Sequence, residues 1–160
     1  MIFVTIGSMF PFDRLVRAMD AWAAAHPEEE VLAQIGDGGF QPAHMRWLRR
    51  LDQDGFAATA RQAEIIVAHA GMGSVITAGL LGTPIVVLPR LKRRGEHNTD
   101  HQLATAGWLQ SRPGVFVAPA ERELDRRIAE ARAAAAGRLP SLPSAAPPEF
   151  IDRLRAYFES

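Results

Sequence analysis

The sequence predicts an α/β fold, a Rossmann-like parallel sheet with helices on both faces, and two observations support it. Short apolar runs alternate along the chain with longer segments whose apolar residues recur at helical spacing. In the central stretch, residues 64–102, an apolar run is followed by a glycine turn, a helical segment and a second apolar run. That order indicates a βαβ unit, which joins two parallel strands through a right-handed crossover. Ligands of such sheets bind outside the carboxyl ends of the strands, so a site is expected at that edge.

The first half of the chain predicts three strands and two helices. The strands are expected at residues 2–6, 31–35 and 45–51, the last from an ambiguous run that contains three arginines. Pro11 suits the first turn of a helix, because a proline there loses no hydrogen bond. The apolar face of this helix is formed by Phe12, Leu15, Val16, Met19, Trp22 and Ala23. A second helix is expected over residues 52–63.

The second half predicts three further strands, each followed by a helix. Strands are expected at residues 65–68, 85–88 and 115–117, and helices from Ser74 to Thr83, from near Asn98 through Leu109, and over 121–136. Residues 1–136 are therefore expected to form one α/β domain. Four prolines in residues 137–148 predict an extended strap. Residues 149–160 predict a terminal helix that packs on its own domain or on a partner, through Phe150, Ile151, Leu154, Tyr157 and Phe158.

Composition narrows the function classes. Of the 160 residues, 48% are hydrophobic and 22% charged, with 18 basic and 18 acidic side chains. The zero net charge gives no field that favours nucleic acid, so no nucleic-acid partner is expected. The absence of cysteine excludes disulfides and thiolate metal sites. We expect neither a signal peptide nor a membrane-spanning helix, because the apolar runs are short and no basic residue precedes the first.

The glycine turn after the strand at 65–68 predicts an anion site. Gly71 and Gly73 flank the start of a helix, where free backbone N–H groups and the helix dipole favour phosphate. Ser74 is expected to cap that helix and offer its hydroxyl, and His69 can donate to a diphosphate from the strand end. A tight βα turn and a structural histidine are the alternatives.

A polar cluster follows the next strand, with Glu96, His97, Asp100, His101 and Gln102 packed into seven residues. Three interpretations compete for it. The two histidines and the aspartate suit zinc or manganese on a helix, although the interior glutamate of a zinc-protease helix is missing. Carboxylate, imidazole and amide groups also suit sugar hydroxyls. The third interpretation is a solvated helix start.

A basic segment lies between that strand and the polar cluster. It is expected to hold a donor diphosphate, an acidic sugar, a lipid-diphosphate acceptor or anionic lipid head groups, through Arg90, Lys92, Arg93 and Arg94. A solvated loop is the alternative.

Four short motifs together resemble one known family. The HAGMGS stretch at residues 69–74, GTP at 82–84, LPR at 88–90 and DHQ at 100–102 are similar to the C-terminal, donor-binding half of GT-B glycosyltransferases, in particular the glycosyltransferase family 28 C-terminal domain. The nearest resemblance is to the small Alg13-like members, and among these to exopolysaccharide subunits of the PssE (EpsE) type. It covers about residues 1–117.

The resemblance implies a UDP-sugar as donor substrate, with no cofactor and no metal required by the fold. It implies that the diphosphate contacts His69, Gly71, Gly73 and Ser74. It implies that the sugar and ribose hydroxyls face Glu96, Asp100, His101 and Gln102, that Phe56 borders the uracil, and that Gly7 and Ser8 face the cleft. Thr77 stands where relatives often carry a ribose-binding acid, so ribose binding is expected to pass to Glu96 or Asp100.

The implied function is the donor-binding subunit of a two-chain inverting glycosyltransferase, which adds a sugar to a lipid-linked acceptor in exopolysaccharide or capsule synthesis. The expected partner is an Alg14-like, membrane-anchored, acceptor-binding chain that also supplies the catalytic base. The chain itself is expected to be cytoplasmic and held at the inner face of the membrane by that partner. Two alternatives stay open: a non-catalytic nucleotide-binding scaffold, and a metal-dependent hydrolase that uses His69, His97, Asp100 and His101.

Overall fold

A six-stranded, fully parallel sheet organises the chain. The structure, a computed structural model, describes residues 1–136 and Ser141. The strands are β1 (Ile2–Thr5), β2 (Val31–Gln34), β3 (Arg46–Leu48), β4 (Ile65–His69), β5 (Ile85–Leu88) and β6 (Val115–Val117). They pair in the order β3-β2-β1-β4-β5-β6. The helices are α1 (Asp13–Ala25), α2 (Gln53–Gln62), α3 (Met72–Leu81), α4 (His101–Leu109) and α5 (Leu124–Ala135). The predicted Rossmann-like fold is confirmed.

The two central strands, β1 and β4, explain why their sequences are apolar throughout. They pair in parallel, with Ile2 opposite Ile65 and Thr5 opposite Ala68. Every residue of β1 is buried, because helices cover both faces of the sheet. The strand order reverses between β1 and β4, and this reversal leaves a crevice at their carboxyl ends.

Two separate apolar layers hold the helices on the sheet. Helices α1 and α5 cover one face, where Leu15, Met19 and Ile128 join the core of the central strands. Helices α2, α3 and α4 cover the other face through Ala60, Val75, Ala78, Ala106 and Leu109. The small residues of this second layer let the helices lie close to the strands, which brings the starts of α2 and α3 to the crevice.

Four predicted helix starts are wrong. Helix α1 begins at Asp13, so Pro11 precedes it, and helix α5 begins at Leu124 after a 3₁₀ turn at Glu121–Glu123. Helix α3 begins at Met72, so Ser74 lies inside its first turn and Gly71 occupies the N-cap position without a side-chain hydrogen bond. Helix α4 begins at His101 rather than near Asn98. The backbone N–H of Lys92 donates to Asp100 Oδ1 at 2.9 Å, and this bond holds the residues before α4 against the preceding turn.

Two sequence predictions lie outside the described residues: the strap at 137–148, apart from Ser141, and the terminal helix at 149–160. Within the part that is described, the helices are all too short or too polar to span a bilayer.

Candidate functional site

A cleft of about 610 Å³ lies at the carboxyl ends of the central strands. Its floor comes from β1, β2 and β4, one side from the starts of α2 and α3, and the other from residues of the 90–102 segment. The lining residues are Thr5, Ile6, Gly7, Ser8, Met9, Phe10, Gln34, Leu51, Asp52, Gln53, Phe56, His69, Gly73, Ser74, Thr77, Arg90, His97 and Gln102. The cleft therefore occupies the edge at which the sequence predicted a site.

The His69 imidazole fills a gap between two glycines. A Cβ added to Gly71 would lie 2.1 Å from His69 Nε2, and one added to Gly7 would lie 2.7 Å from Cε1. Gly7 also has a φ of 75°, which side-chain-bearing residues rarely adopt. The turns after β1 and β4 are thus both built around this one ring.

His69 is uncharged at neutral pH. Burial lowers its pKa to about 4, and the neighbouring Arg90 and His97 act in the same direction. Its Nδ1 atom is buried and has no hydrogen-bond partner in the described part of the chain. A neutral imidazole carries one N–H donor and one acceptor nitrogen. The ring lines the cleft and keeps one buried nitrogen whose hydrogen-bonding capacity is unused within the described chain.

The starts of α2 and α3 both border the cleft but differ in their backbone hydrogen bonding. Asp52 caps α2 by accepting a hydrogen bond from the Gly55 N–H at 2.8 Å. No described side chain caps α3, whose first helical bond runs from the Val75 N–H to the Gly71 carbonyl at 3.3 Å. The preceding N–H groups of α3, together with the positive end of the helix dipole, are available to an anion. Gly73 and Ser74 line the cleft at this point.

Arg90 is a structural anchor. Its side chain is 2% exposed, and its guanidinium donates to the carbonyls of Ile6 and Phe10 at 2.7 Å each and to that of Glu96 at 3.2 Å. Burial lowers the pKa of Arg90 to about 10, an effect that the Glu96 carboxylate opposes, so the group stays charged at neutral pH. Arg90 fixes the loop after β1 to the loop after β5.

The Glu96 carboxylate forms an ion pair with Arg14, whereas the sequence analysis expected it to face the ribose hydroxyls. Its carboxylate accepts from Arg14 Nε at 2.6 Å and Nη2 at 2.8 Å, and from the Leu91 N–H at 2.8 Å. Arg14 also contacts Glu121 at 3.2 Å. Both sides of the Arg14–Glu96 pair are nearly buried, which makes this carboxylate part of the scaffold.

The rest of the polar cluster divides between the cleft and the surface. Gln102 lines the cleft but is buried, with Oε1 accepting from the Arg90 N–H at 3.1 Å. His97 lines the cleft and packs edge-on against Phe10, with ring centroids 5.2 Å apart. Asp100 and His101 are exposed and lie outside the described cleft lining. Of the predicted sugar-facing group, only Gln102 reaches the cleft.

The metal-site interpretation finds no support in the donor geometry. No group of three His, Asp or Glu side chains converges within residues 1–136. The Asp100 carboxylate is bonded to the Lys92 N–H, and the His97 Nδ1 accepts from the Thr99 N–H at 3.2 Å. The rings of His97 and His101 do pack edge to face, with centroids 4.5 Å apart, but no carboxylate joins them to complete a set of three ligands within residues 1–136.

The predicted basic cluster is also divided. Lys92, Arg93 and Arg94 form an exposed 3₁₀ turn, and Arg94 contacts Glu121 at 3.3 Å. Arg90 points inward, as described above. The exposed turn, without Arg90, is the part that remains accessible to an anionic partner.

Gln34 lines the cleft but escaped the sequence analysis, which did name the other two lining residues described here, Thr77 and Phe56. Gln34 is buried at the end of β2, and its Oε1 has no hydrogen-bond partner in the described chain. It is the single polar residue in the apolar run at 31–35, a signal that could have identified it. Thr77 also lines the cleft, and its hydroxyl donates to the Gly73 carbonyl at 2.9 Å. Phe56 lies against Phe3 at the cleft floor, with ring centroids 5.4 Å apart.

Comparison with solved structures supports the fold. The chain is similar to the glycotransferase of kitacinnamycin (21% identity over 97% of this chain and 37% of that one, TM-score 0.53). It is similar to the glycosyltransferase VinC in complex with dTDP (19%, 99% and 41%, TM-score 0.53). The solution structure of ALG13 matches over 96% of this chain and 93% of its own, at 18% identity and a TM-score of 0.55.

The chain spans less than half of the first two proteins, and the region they share has the Rossmann-like fold of the C-terminal domain of GT-B glycosyltransferases. A search of curated protein sequences gave no significant match. The family model of the glycosyltransferase family 28 C-terminal domain matches residues 1–110. The chain therefore belongs to the glycosyltransferase family 28 C-terminal domain family.

Proposed function

We propose that this chain binds the nucleotide-sugar donor of a glycosyl transfer, with UDP-sugar as the donor. One observation carries the proposal: the uncapped start of α3 faces the cleft beside the neutral imidazole of His69. Backbone N–H groups at a helix start bind phosphate without a charged side chain. The diphosphate would lie against Gly73, Ser74 and His69, and the base would lie toward Phe56.

The transfer itself needs a second set of groups. In an inverting transfer the acceptor hydroxyl oxygen bonds to the anomeric carbon as the bond from that carbon to the diphosphate oxygen breaks. A general base takes the hydroxyl proton, and the diphosphate leaves with the bonding electron pair. The start of α3 and the His69 N–H would stabilise the negative charge that develops on the diphosphate. We assign the base to a partner chain.

We propose further that the chain is the donor subunit of a two-chain enzyme of exopolysaccharide or capsule synthesis, with a lipid-linked saccharide as acceptor. The partner would be an Alg14-like chain that is anchored in the membrane and holds this chain at its cytoplasmic face. The proposal is supported by the similar extent of this chain and ALG13, and by a cleft built from one domain. The exposed turn Lys92–Arg94 offers positive charge toward an anionic acceptor or lipid.

The donor proposal is tested by isothermal titration calorimetry with UDP, dTDP and UDP-sugars. The dTDP arm is included because VinC was crystallised with that nucleotide. We expect UDP to bind and His69→Gln to weaken its binding by about tenfold, the cost of one hydrogen bond to a charged group. The control is His44→Gln. His44 is half-exposed, contacts the Asp20 carboxylate and is not among the residues that line the cleft. Absence of binding by every nucleotide would refute the proposal.

The two-chain proposal is tested by purification from the native cell, identification of the co-purified chain and assay of the pair against UDP-sugars. We expect transfer only when both chains are present. His69→Ala in the assembled pair then separates a donor site from a scaffold. Loss of transfer with an intact complex supports the donor role, whereas full transfer shows that this chain only positions its partner.

A further inference from the structure

A second, apolar groove lies between α3 and α4, apart from the polar cleft. Its volume is about 370 Å³. Met72, Ile76 and Gly79 of α3 form one side, and Trp108 and Leu109 of α4 form the other. The neighbouring residues are Val75, Ala78, Gly82, Thr83, Ile85, Arg112, Pro113, Gly114, Val115 and Ser141.

Exposed apolar side chains concentrate on these two helices. Of the seven large hydrophobic residues that are exposed in the described chain, six belong to α3 or α4: Met72, Ile76, Leu80, Leu81, Leu103 and Trp108. Trp108 is 52% exposed and Ile76 46%. Three of the six, Met72, Ile76 and Trp108, line the groove. An exposed apolar groove on a small domain usually marks a contact with another segment or molecule.

Ser141 indicates which segment reaches the groove. Helix α5 ends at Ala135 on the sheet face that it shares with α1. Six residues later, Ser141 lines the groove of the α3–α4 face. Ser141 therefore lies on the opposite face of the sheet from α5, and 19 residues follow it in the sequence, 142–160.

We propose that the C-terminal segment of this same chain, residues 149–160, lies in the α3–α4 groove. Its apolar residues recur at helical spacing: Phe150, Ile151, Leu154, Tyr157 and Phe158. A helix of this length spans about 18 Å, which matches the roughly 15 Å of the ten-residue α3. The nine residues from Ser141 to Phe150 can extend over about 30 Å. This length is enough for the apolar face of residues 149–160 to lie along the groove.

Covalent connection favours the chain's own segment over a separate occupant. A tethered segment meets the groove at an effective concentration that a free partner rarely reaches. Charge argues against a lipid surface, because Arg112 is the single charged residue among the described residues of the groove lining and stacks over Trp108 at 4.1 Å. An anionic membrane surface would call for several basic residues there.

The test is paramagnetic relaxation enhancement in the full chain, which has no native cysteine to interfere. A nitroxide is attached to A156C, because residue 156 lies on the predicted helix face opposite to the apolar stripe. We expect amide signals of α3 and α4 to lose most of their intensity while those of α1 keep theirs. Adding Leu154→Asp should restore the α3 and α4 signals, whereas Asp152→Lys on the opposite face should not.

Two outcomes would overturn the proposal. The first is a loss of α3 and α4 signal that arises only between molecules. It would appear when chain that carries the nitroxide but no NMR isotope is mixed with isotope-enriched chain that carries no nitroxide, and it would assign the groove to a second copy. The second is that the α3 and α4 signals keep their full intensity. If the groove signals then shift when phosphatidylglycerol vesicles are added, the groove is assigned to lipid.

Deletion of residues 149–160 gives an independent measurement. Removal of a covering segment should raise acrylamide quenching of the Trp108 fluorescence by about twofold, because quencher access follows indole exposure. The contribution of Trp108 is isolated by comparison with Trp108→Phe, since Trp22 and Trp47 remain in that variant. Equal quenching with and without the segment would contradict the proposal.

Discussion

The two sides of the cleft contrast in how their polar groups are used. On the α3 side, the first N–H groups of the helix lack a cap and His69 Nδ1 has no described partner. On the side formed by the 90–102 segment, the Arg90 guanidinium donates to backbone carbonyls through its terminal nitrogens, and the Glu96 carboxylate accepts from an N–H group and from Arg14. One side offers hydrogen bonds to a ligand, while the other holds the loops in place.

This difference separates recognition from support. The polar cluster at 96–102 looked like the richer binding site in the sequence, yet Glu96 and Gln102 bond to the protein itself. Glycines, which carry no functional group, mark the side with unmet hydrogen bonds. Stability should therefore respond most to changes on the 90–102 side, and ligand binding most to changes around α3.

The largest expected effect is that of Arg90→Met. This change leaves three carbonyl oxygens without their donor, one in a buried and two in partly buried positions, so the free energy of unfolding should fall by about 4 kcal/mol. Urea denaturation measures the loss. Arg93→Met is the matched control, an exposed arginine three residues further on, and it should leave stability nearly unchanged. Equal losses in both variants would show that Arg90 is no anchor.

Gly71→Ala comes next. The added Cβ would overlap His69 Nε2 at 2.1 Å, so the imidazole must move and the free energy of unfolding should fall by about 3 kcal/mol. UDP binding should be lost together with the ring position. Gly107→Ala in α4 is the control, because nothing lies within 4 Å of its Cβ. Wild-type affinity in Gly71→Ala would show that the position of the ring is irrelevant to binding.

Acidification should reveal the neutral state of His69. Its folded pKa of about 4 lies below the ordinary value of 6.5, so the unfolded chain takes up a proton in this range before the folded chain does. The stabilisation is complete above pH 6.5 and is lost as the pH falls toward 4, by roughly 2 kcal/mol down to about pH 4.5. Urea denaturation gives the free energy of unfolding of the wild type and of His69→Gln at each pH, and the difference between the two variants should change by this amount. A difference that does not depend on pH would contradict a lowered His69 pKa.

The smallest effect distinguishes the ligand surface from the scaffold most clearly. Gly73→Ala adds a Cβ with nothing within 4 Å, and alanine favours a helix, so the variant should gain about 0.5 kcal/mol of stability. If the diphosphate approaches the start of α3, the same methyl group should weaken UDP binding by about tenfold. Calorimetry checks the affinity and denaturation the stability. Unchanged affinity would move the diphosphate away from this helix.

The sequence predicted the fold because its signals are local. Strands β4 and β5 are continuous apolar runs, as expected for strands buried on both faces. The place of the glycine turn beside the cleft was also predictable, since the glycines and His69 are contiguous with the strand that precedes them. The start of α4 was not, because it depends on the Asp100–Lys92 bond, which joins two loop positions that have no helical signal.

The functions of Arg90 and Glu96 were hidden for a related reason. Glu96 pairs with Arg14 across 82 positions of the chain, and Arg90 bonds to Ile6 across 84. Neither partner is visible from local spacing. Adjacent charged residues therefore looked like one exposed cluster, although Arg90 is buried and Lys92 is exposed.

The packing of the His69 ring between Gly7 and Gly71 has a consequence for sequence variation among related chains. Residues 7, 69 and 71 share a single volume, so none of them can change in size independently of the others. Related chains with a side chain at position 71 should carry a smaller residue than histidine at position 69, and chains that keep the histidine should keep both glycines. These three positions should therefore vary together among relatives, whereas Gly73, with open space around it, should vary with the ligand.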